Sequence, residues 1–368
     1  MKKLPFYILF VILAGAALGY YFWPQASEPV IPGKLQGGTT AHLFEPTSNN
    51  AVAAVTIGDE AYLFSFSGLG EDKTHEDINS NAYAVNVAEQ FAIEIPPVPG
   101  DTHRLASIAA TVNNIIYVIG GYTVEEDGTE ISTPEVLAFN PLDNTYAPRA
   151  PMVTPVDDTV ALVYQDRYIY LVSGWHDVGN VENVQVYDTV EDVWFEATPY
   201  PGSAVFGHAG GIAGNRFVIV DGVAVLGLDD DGRRQFGATD EAYLGQIDAN
   251  DPAIITWEKI PPHPGNPLYR MAATRVPGND IILFAGGSDN PYNYNGMGYN
   301  GEPSQPSASV FAYDIPMREW HLYGDKQFAT MDHRGMAAVG GRYYIIGGMV
   351  ENQEVWDSVT WFSLGEDQ

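Results

Sequence analysis

The sequence contains no cysteine and few basic residues. Its 368 residues include 17 Lys and Arg against 47 Asp and Glu, so the formal net charge at pH 7 is −30. The absence of cysteine excludes a disulfide framework, a thiolate metal site and a cysteine nucleophile. The negative charge repels phosphate groups, and the longest basic runs are only Lys2-Lys3 and Arg233-Arg234. We therefore expect no nucleic-acid partner.

Apolar residues are plentiful by comparison. Hydrophobic residues make up 45% of the chain, which is enough to offset the conformational entropy lost on folding and excludes a disordered chain. The length would allow two domains, but all-β folds of this size often form a single one. The number of domains therefore depends on the internal organisation of the sequence.

One long stretch without charged residues lies near the N-terminus, at Leu4–Trp23. A helix of this length, at about 1.5 Å per residue, spans the ~30 Å hydrocarbon core of a bilayer. Lys2 and Lys3 precede it, and a cationic flank that stays in the cytoplasm predicts that the rest of the chain is exported. We expect either a cleavable signal peptide with the small residues Ala14-Gly15-Ala16, or an uncleaved anchor with the aromatic residues 20–23 at the outer interface. The length of the apolar run favours the anchor.

The dominant signal is a sixfold internal repeat. A short apolar segment that ends in a small residue and glycine occurs six times, and the last glycines are 48 to 65 residues apart. A period near 50 residues is typical of propeller blades, so each copy is predicted to be the second strand of a blade. The six copies are Tyr62–Gly68, Ile116–Gly121, Tyr170–Gly174, Val218–Gly222, Ile282–Gly287 and Tyr344–Gly348.

Each repeat predicts four strands in the same order. A first strand of small residues, such as Ala106–Val112, precedes the glycine-ended strand and suits a crowded innermost position. The third strand alternates apolar and polar residues, as in Val184–Asp188, and the fourth opens on an aromatic residue such as Trp194 and runs into prolines. Proline cannot donate to a ladder, so the fourth strand is expected at the outer edge of the sheet. The chain is therefore predicted to be all-β, with six blades of four strands.

The sixth repeat ends after its third strand, near Val359–Leu364. We expect Ala41–Pro46, an aromatic-containing segment before the first blade, to supply the missing outer strand, because ring closure removes exposed sheet edges. Residues 24–40, rich in Pro and Gly, are predicted to be the linker that leads to this strand. The pattern resembles the kelch family of β-propellers over residues 41–368, in its six-bladed form.

The start of each first strand and the loop after each second strand are expected on one face, because neighbouring strands of a blade are antiparallel. Three of these starts contain an arginine, namely Arg104, Arg270 and Arg334. We align them at equivalent repeat positions, with His208 at that position in a fourth blade. They are expected to converge on the channel mouth and hold a carboxylate or another oxyanion. The alternative is that they bond backbone carbonyls of neighbouring blades.

The loops on this face are the longest in the chain, and long loops on a rigid scaffold often carry binding sites. Residues 288–302 contain four Asn and three Tyr without Lys or Arg. Tyrosine rings stack on sugar faces and Asn amides meet hydroxyls as donor and acceptor, so carbohydrate is the expected ligand class. The alternative is a loop that folds on itself through Asn and Gly turns. The predicted ligand-binding residues are Arg104, Arg270, Arg334, Tyr269, Asn50, Trp175, Asn293 and Tyr294.

Within the kelch family the sequence is similar to the periplasmic sialic-acid mutarotases. The similarity covers the fifth and sixth blades, where Leu283–Gly287 is followed by an Asn/Tyr/Gly loop, a strand, a Trp and then an Arg at the start of the last blade. The resemblance implies an acid/base Glu directly after an Asn-Gly pair at the end of the fourth blade's second strand, with an Arg six residues later. Here Asp221-Gly222 is followed by Val223, and Arg233 and Arg234 lie further along.

The resemblance also implies a location in the bacterial cell envelope. The propeller would lie in the periplasm, either anchored to the inner membrane or secreted if the N-terminal segment is cleaved. Membrane contact is expected only through residues 4–23. Under the first functional hypothesis, the propeller binds a small anionic or glycan ligand on its arginine-lined face. Sugar-acid mutarotation is then the candidate reaction, with His208, His333 or Asp158 moving the proton.

The second hypothesis is a non-catalytic protein-interaction module of the cell envelope. A deep, arginine-lined mouth favours the first hypothesis, and a mouth covered by the long loops favours the second. No metal or cofactor is expected. Copper galactose oxidases share the kelch ring, but their copper site uses a Tyr crosslinked to Cys, which this chain lacks. The histidines without metal-binding spacing are His42, His75, His263 and His321.

Overall fold

The computed structural model describes residues 33–100 and 102–365. Six four-stranded antiparallel sheets form the blades of a β-propeller, as predicted. Blade 1 contains β2 (Ala51–Ile57), β3 (Glu60–Leu69), β4 (Ile78–Asn86) and β5 (Phe91–Glu94). Blade 2 contains β6 (Ile108–Val112), β7 (Ile115–Ile119), β10 (Val136–Asn140) and β11 (Thr145–Pro148). Blade 3 contains β12 (Val160–Tyr164), β13 (Tyr168–Val172), β16 (Val184–Asp188) and β17 (Val193–Glu196).

The remaining blades have the same order, and the first strand of each blade is innermost. Blade 4 contains β18 (Ala209–Ala213), β19 (Arg216–Val220), β22 (Ala242–Ile247) and β23 (Ile255–Ile260). Blade 5 contains β24 (Ala272–Arg275), β25 (Ile281–Ala285), β26 (Ser307–Asp314) and β27 (Glu319–Thr330). Blade 6 contains β28 (Ala337–Val339), β29 (Arg342–Ile346), β30 (Ser358–Ser363) and β1 (Gln36–His42).

Three short hairpins extend the loops after the second strands of blades 2, 3 and 4. They are β8–β9 (Tyr122–Val124 and Glu130–Ser132), β14–β15 (Trp175–His176 and Gly179–Asn180) and β20–β21 (Val223–Leu228 and Arg234–Ala238). We call this end of the propeller the loop face. Helical structure within the described residues is limited to the 3-10 turns His75–Asp77 and Glu351–Gln353.

Small residues form the innermost strands because six strands crowd around the axis. In β18, a Cβ atom added at Gly211 would lie 2.7 Å from Cγ2 of Ile282, and one at Gly210 would lie 2.6 Å from Cδ1 of Ile219. Larger side chains fill the spaces between blades. Phe66 of blade 1 packs edge-on against Phe139 of blade 2, with ring centroids 5.4 Å apart. Each such buried side chain stabilises the fold by roughly 1.5–3 kcal/mol.

The aromatic residue at the start of the fourth strand has a defined role in four blades. Its polar atom donates a hydrogen bond to a backbone carbonyl in the segment that arrives from the preceding blade. Because that segment lies outside any ladder, the aromatic side chain holds it against the sheet. The pairs are Tyr146 Oη to Pro96 O (2.9 Å), Trp194 Nε1 to Ala150 O (2.8 Å), Trp257 Nε1 to Thr198 O (3.4 Å) and Trp320 Nε1 to Pro261 O (2.8 Å).

The two ends of the propeller meet in blade 6, where β1 pairs antiparallel with β30 from Gln36↔Ser363 to His42↔Ser358. The pairing begins five residues before the predicted segment Ala41–Pro46, so residues 36–40 belong to the sheet and not to the predicted linker. After His42 the chain leaves the ladder to cross towards blade 1, and Phe44 is exposed. Residues 24–32 of the predicted linker lie outside the described residues.

The predicted anchor or signal segment, Leu4–Trp23, also lies outside the described residues. In the part of the chain that the structure describes, no helix is long and apolar enough to cross a membrane.

Candidate functional site

A ring of six residues surrounds the axis at the loop face, one in the turn that leads into the first strand of each blade. Each has a left-handed backbone conformation, with φ between 51° and 71°. Five of them donate their backbone N–H to the backbone carbonyl of the ring residue in the preceding blade, at 2.8–3.4 Å. In the sixth blade the donor is the next residue, His333, whose N–H donates to the carbonyl of Arg270 at 3.2 Å. The ring therefore joins all six blades. Its members are Asn49, Ala106, Asp158, Gly207, Arg270 and Asp332.

This ring corrects the alignment of the three arginines. Arg270 is a ring residue, whereas Arg104 lies two positions before Ala106 and Arg334 lies two positions after Asp332. Equivalent positions in the six repeats are identified by the left-handed residue and by the isolated β-bridge that the preceding residue makes. The presence of an arginine does not identify them. The six bridges are Ser48↔Leu69, Leu105↔Tyr122, Asp157↔Trp175, Phe206↔Val223, Tyr269↔Ser288 and Met331↔Met349.

Two of the arginines meet two aspartates at the axis. Arg270 donates from Nε and Nη2 to the two carboxylate oxygens of Asp158, at 3.2 and 2.5 Å, and from Nη1 to Asp332 Oδ1 at 2.8 Å. Arg334 pairs with Asp158 and donates from Nε to Asn49 Oδ1 at 2.7 Å. The four charged side chains are 3% exposed or less. We call Asp158, Arg270, Asp332 and Arg334 the axial charge cluster.

The cluster has two positive and two negative groups from three blades, so it ties the blades together. Burial opposes ionisation of Asp158, but Arg270 and Arg334 outweigh it and hold the pKa of Asp158 below its ordinary value. The arginines were expected to bind a ligand or backbone carbonyls; in the structure carboxylates occupy them. Arg104 lies apart and pairs with Glu135, with Nη1 to Oε2 at 2.9 Å.

The predicted histidines lie on the channel side of the ring. His208 and His333 line, together with Arg334 and the innermost strands, a cavity of about 430 Å³ along the axis. His208 Nε2 donates to Val172 O at 2.8 Å, and His333 Nε2 hydrogen-bonds Thr330 Oγ1 at 2.8 Å. Burial lowers the pKa of His208 to about 4 and that of His333 to about 3. Because both pKa values lie below 7, both imidazoles are neutral at pH 7.

A second cavity, of about 220 Å³, opens on the loop face above the axial charge cluster. It brings together five of the predicted residues: Asp158, Trp175, Arg270, Asn293 and Tyr294. Tyr269 is buried beneath them, with the guanidinium of Arg270 4.8 Å from its ring centroid, and Asn50 is buried elsewhere against Ser65. The lining residues that were not among the predicted ligand-binding or catalytic residues are Tyr122, Glu130, Asp157, Phe206, Arg234, Phe236 and Tyr299.

Aromatic side chains form one wall of the loop-face cavity. Phe236 stacks on Tyr299 with ring centroids 4.3 Å apart and lies 5.9 Å from Trp175. The guanidinium of Arg234 lies 5.2 Å from the Trp175 ring centroid and donates to Val178 O at 2.9 Å. Arg234 is exposed and has no carboxylate partner among the described residues, whereas its neighbour Arg233 pairs with Asp229 and Asp231.

Carboxyl groups also line the loop-face cavity. Asp157 is buried, accepts a hydrogen bond from Ser132 Oγ at 2.6 Å, and is joined to Trp175 by two backbone hydrogen bonds. Burial and the adjacent Asp158 raise the pKa of Asp157 well above its ordinary value. A carboxyl group with a raised pKa, that of Asp157, thus lies next to one with a lowered pKa, that of Asp158.

Glu130 lies at the edge of the same cavity. Its residue surface is exposed, yet the protein packed around its carboxylate raises its pKa, and Arg270 only partly offsets this. At the position of the family's Glu, Val223 is fully buried and bridges Phe206. The described residues contain no group of three His, Asp or Glu arranged to hold a metal ion.

Comparisons with known proteins show similarity to two groups of kelch proteins. No family model matches the chain. Kelch-like protein 15 of Gallus gallus is 32% identical over 150 residues, which are 40% of this chain and 30% of that protein. The Danio rerio protein of that name is 23% identical over 80% of this chain and 46% of its own length. The chain thus spans less than half of these kelch-like relatives.

The other group covers nearly the whole chain. N-acetylneuraminate epimerase of Salmonella typhi is 23% identical over 91% of this chain and 90% of its own length. A solved structure described as "Structure of YjhT" superposes with a TM-score of 0.66 at 17% identity, and covers 86% of this chain and 95% of that one. The superposition shows the fold. The chain is a kelch-type β-propeller that resembles the sialic-acid mutarotases.

Proposed function

We propose that this kelch-type propeller binds a small sugar or sugar acid in the loop-face cavity, with mutarotation as the candidate reaction. The observation that carries the proposal is the convergence of an aromatic wall and three carboxyl groups on one cavity. Aromatic faces suit the apolar side of a sugar ring, and carboxyl groups bond its hydroxyls as donor or acceptor according to their protonation.

The volume of the cavity supports a single ring. At about 220 Å³ it lies below the roughly 300–1,000 Å³ of pockets for drug-sized ligands. A polysaccharide chain would need a longer groove. We therefore take a monosaccharide as the ligand class.

The charges of the cavity indicate where a carboxylate would bind. Arg270 and Arg334 are already engaged by Asp158 and Asp332, so adding an anion there would leave the axial charge cluster unbalanced. Arg234 lies in the wall with its guanidinium exposed, and is the better partner for a sugar carboxylate.

Mutarotation requires one group that protonates the ring oxygen and another that removes the proton of the anomeric hydroxyl. Under this proposal, Asp157 donates the first proton and the carboxylate of Glu130 accepts the second, after which the roles reverse for ring closure. Burial and the adjacent Asp158 raise the pKa of Asp157, which favours the protonated form that this step needs. Glu130 and Asp157 come from adjacent blades, so the assignment does not depend on the family's Glu.

Calorimetric titration of N-acetylneuraminate and of neutral glucose into the full-length protein tests the binding proposal. We expect Trp175→Ala to weaken binding at least tenfold, because it removes the aromatic wall. Trp356→Ala, a partly buried tryptophan outside the cavity, is the matched control and should leave affinity unchanged. Glu130→Gln should slow interconversion of the anomers, measured by NMR, with little effect on affinity. Absence of saturable binding by either sugar would contradict the proposal.

The second candidate function is an interaction module of the cell envelope. Its specific support is exposed aliphatic surface on the loop face, including Val178, Leu226 and Leu228, which are 66–75% exposed.

For either function we propose that residues 4–23 direct export and hold the propeller at the membrane.

A further inference from the structure

The axial channel is the cavity of about 430 Å³ that the innermost strands of all six blades enclose. In β6, β12 and β18 buried and half-buried residues alternate, and every half-buried residue of these strands lines the channel. The third residue after the ring residue of each blade is small or aliphatic: Val52, Ala109, Ala161, Gly210, Ala273 and Gly335. The hydroxyls of the lining residues Thr111 and Thr159 donate to backbone carbonyls. The free side-chain surface of the channel wall is therefore mostly aliphatic.

The lining of the channel carries an excess of positive charge. Among the described residues that line it there is no Asp or Glu, although the chain contains 47 of them. His208 and His333 are neutral at pH 7, and Arg334 at the inner end is already paired with Asp158. Arg275 is the remaining charged residue of the lining. The channel therefore favours an anion over a cation.

Arg275 lies at the open end of the channel, at the end of β24 and away from the loop face. Its side chain is 42% exposed. Nε donates to Asn279 O at 2.7 Å and Nη2 to Asp280 Oδ1 at 3.3 Å, while Asp280 also pairs with Arg216 at 2.9 Å. One carboxylate thus serves two guanidinium groups, and Nη1 of Arg275 has no partner among the described residues. These free donors are suited to the carboxylate of a ligand.

The inner end of the channel presents a buried hydrogen-bond acceptor. His208 is 5% exposed, and its Nε2 donates to Val172 O. A backbone carbonyl only accepts hydrogen bonds, so the proton of the neutral ring is on Nε2 and Nδ1 carries the lone pair. Nδ1 is buried and has no hydrogen-bond partner among the described residues. Because leaving such an atom unpaired is unfavourable, this position favours a ligand with a hydroxyl or N–H group.

Four residue positions separate the two polar ends, because His208 is the first residue after its ring residue and Arg275 is the fifth after its own. At about 3.3 Å per residue the ends are roughly 13 Å apart along the axis, the reach of an extended chain of about eight carbons with a polar group at each end. We propose that the axial channel binds a slim aliphatic hydroxy acid, with its carboxylate on Arg275 and its terminal hydroxyl donating to His208 Nδ1. A monosaccharide is broader and would place its hydroxyls against aliphatic walls. The channel shares no lining residue with the loop-face cavity, so the proposal does not depend on sugar binding there.

Calorimetric titration of 8-hydroxyoctanoate into the full-length protein tests this proposal. We expect saturable binding, with octanoate severalfold weaker and 1,8-octanediol at least tenfold weaker, because each lacks one of the two polar ends. Arg275→Ala should raise the Kd of 8-hydroxyoctanoate at least tenfold and leave that of 1,8-octanediol unchanged. Arg318→Ala is the matched control and should leave both unchanged, because it removes an exposed arginine that pairs with Glu258 outside the channel lining.

Two further variants test the position of the ligand. Ala161→Leu adds bulk to the channel wall and should abolish binding, and His208→Leu should weaken 8-hydroxyoctanoate to the affinity of octanoate. If either of these variants does not fold, Arg275→Ala at the exposed end and the comparison of the three compounds decide the outcome. Absence of saturable binding, equal affinity of the three compounds, or an unchanged Kd in Arg275→Ala or Ala161→Leu would overturn the proposal.

The same proteins separate this proposal from sugar binding. Arg275→Ala and Ala161→Leu should keep any affinity of the wild type for N-acetylneuraminate, and Trp175→Ala should keep the affinity for 8-hydroxyoctanoate. Failure of one proposal therefore leaves the other measurable. Loss of 8-hydroxyoctanoate binding in Trp175→Ala would instead place this ligand in the loop-face cavity and overturn the channel proposal.

Discussion

Removing Arg270 tests whether the axial charge cluster holds the blades together. In Arg270→Ala, the buried carboxylates of Asp158 and Asp332 lose three hydrogen bonds from one guanidinium. Asp158 keeps Arg334, but Asp332 is left with only Arg334 at 4.0 Å. Breaking a buried ion pair by deleting one partner typically destabilises a protein by about 3–5 kcal/mol. We expect the free energy of unfolding to fall by about that amount.

Urea unfolding followed by tryptophan fluorescence measures the loss, provided that the slope with denaturant stays constant. Arg104→Ala is the matched control, because its partner Glu135 is exposed and regains hydration. A smaller loss of about 1.5–3 kcal/mol is expected there, from one hydrogen bond between charged groups. Arg270→Ala/Asp332→Asn should recover part of the stability by neutralising the orphaned carboxylate. The reasoning is refuted if Arg270→Ala loses no more than Arg104→Ala, or if the double variant is less stable than the single one.

Three further predictions concern the acid pair, the ring closure and the anchor. Because the pKa of Asp157 is raised in the folded state, its contribution to stability is present below about pH 4 and is lost as pH rises. Relative to wild type, Asp157→Asn should therefore gain free energy of unfolding between pH 4 and pH 8, measured by urea unfolding. A difference between the two proteins that does not change with pH would contradict this. Deleting residues through His42 removes β1 and exposes the edge of β30, so the truncated protein should unfold at lower temperature and aggregate, and an unchanged Tm would rule out a stabilising closure. If residues 4–23 form an uncleaved anchor, the protein should stay with membranes in high salt and keep its N-terminus by mass spectrometry; a soluble form starting near Ala17 would indicate a signal peptide.

The fold was predictable because its rules are local and repeated six times. Small residues mark the inner strand, where Gly211 has no room for a Cβ beside Ile282. Aromatic residues mark the fourth strand, where Trp194 and Trp320 bond the incoming segments. The closing strand was misplaced by five residues because β1 contains Gly37 and Gly38 and shows no strand pattern of its own. Its pairing with β30 depends on a partner more than 300 residues away.

The candidate site was only partly predictable, because it depends on register and on contacts between blades. The three arginines look equivalent in sequence, yet only Arg270 occupies the left-handed ring position. Asp157 stood next to the predicted Asp158, but its raised pKa arises first from burial, which depends on packing between blades, and then from the charge of Asp158. Arg234 and Phe236 lie on one face of β21 and both line the cavity. A pattern of period two over residues 234–236 was the signal in the sequence that could have placed them on the same face.

The central claim is that a small sugar binds in the loop-face cavity. A crystal structure of the protein with N-acetylneuraminate, at a concentration well above the Kd from calorimetry, tests it most directly. We predict the sugar ring against Trp175, its carboxylate on Arg234 and one of its oxygens within hydrogen-bond distance of Asp157. Saturable binding with the sugar elsewhere, for example in the channel beside His208 and His333, would contradict the account.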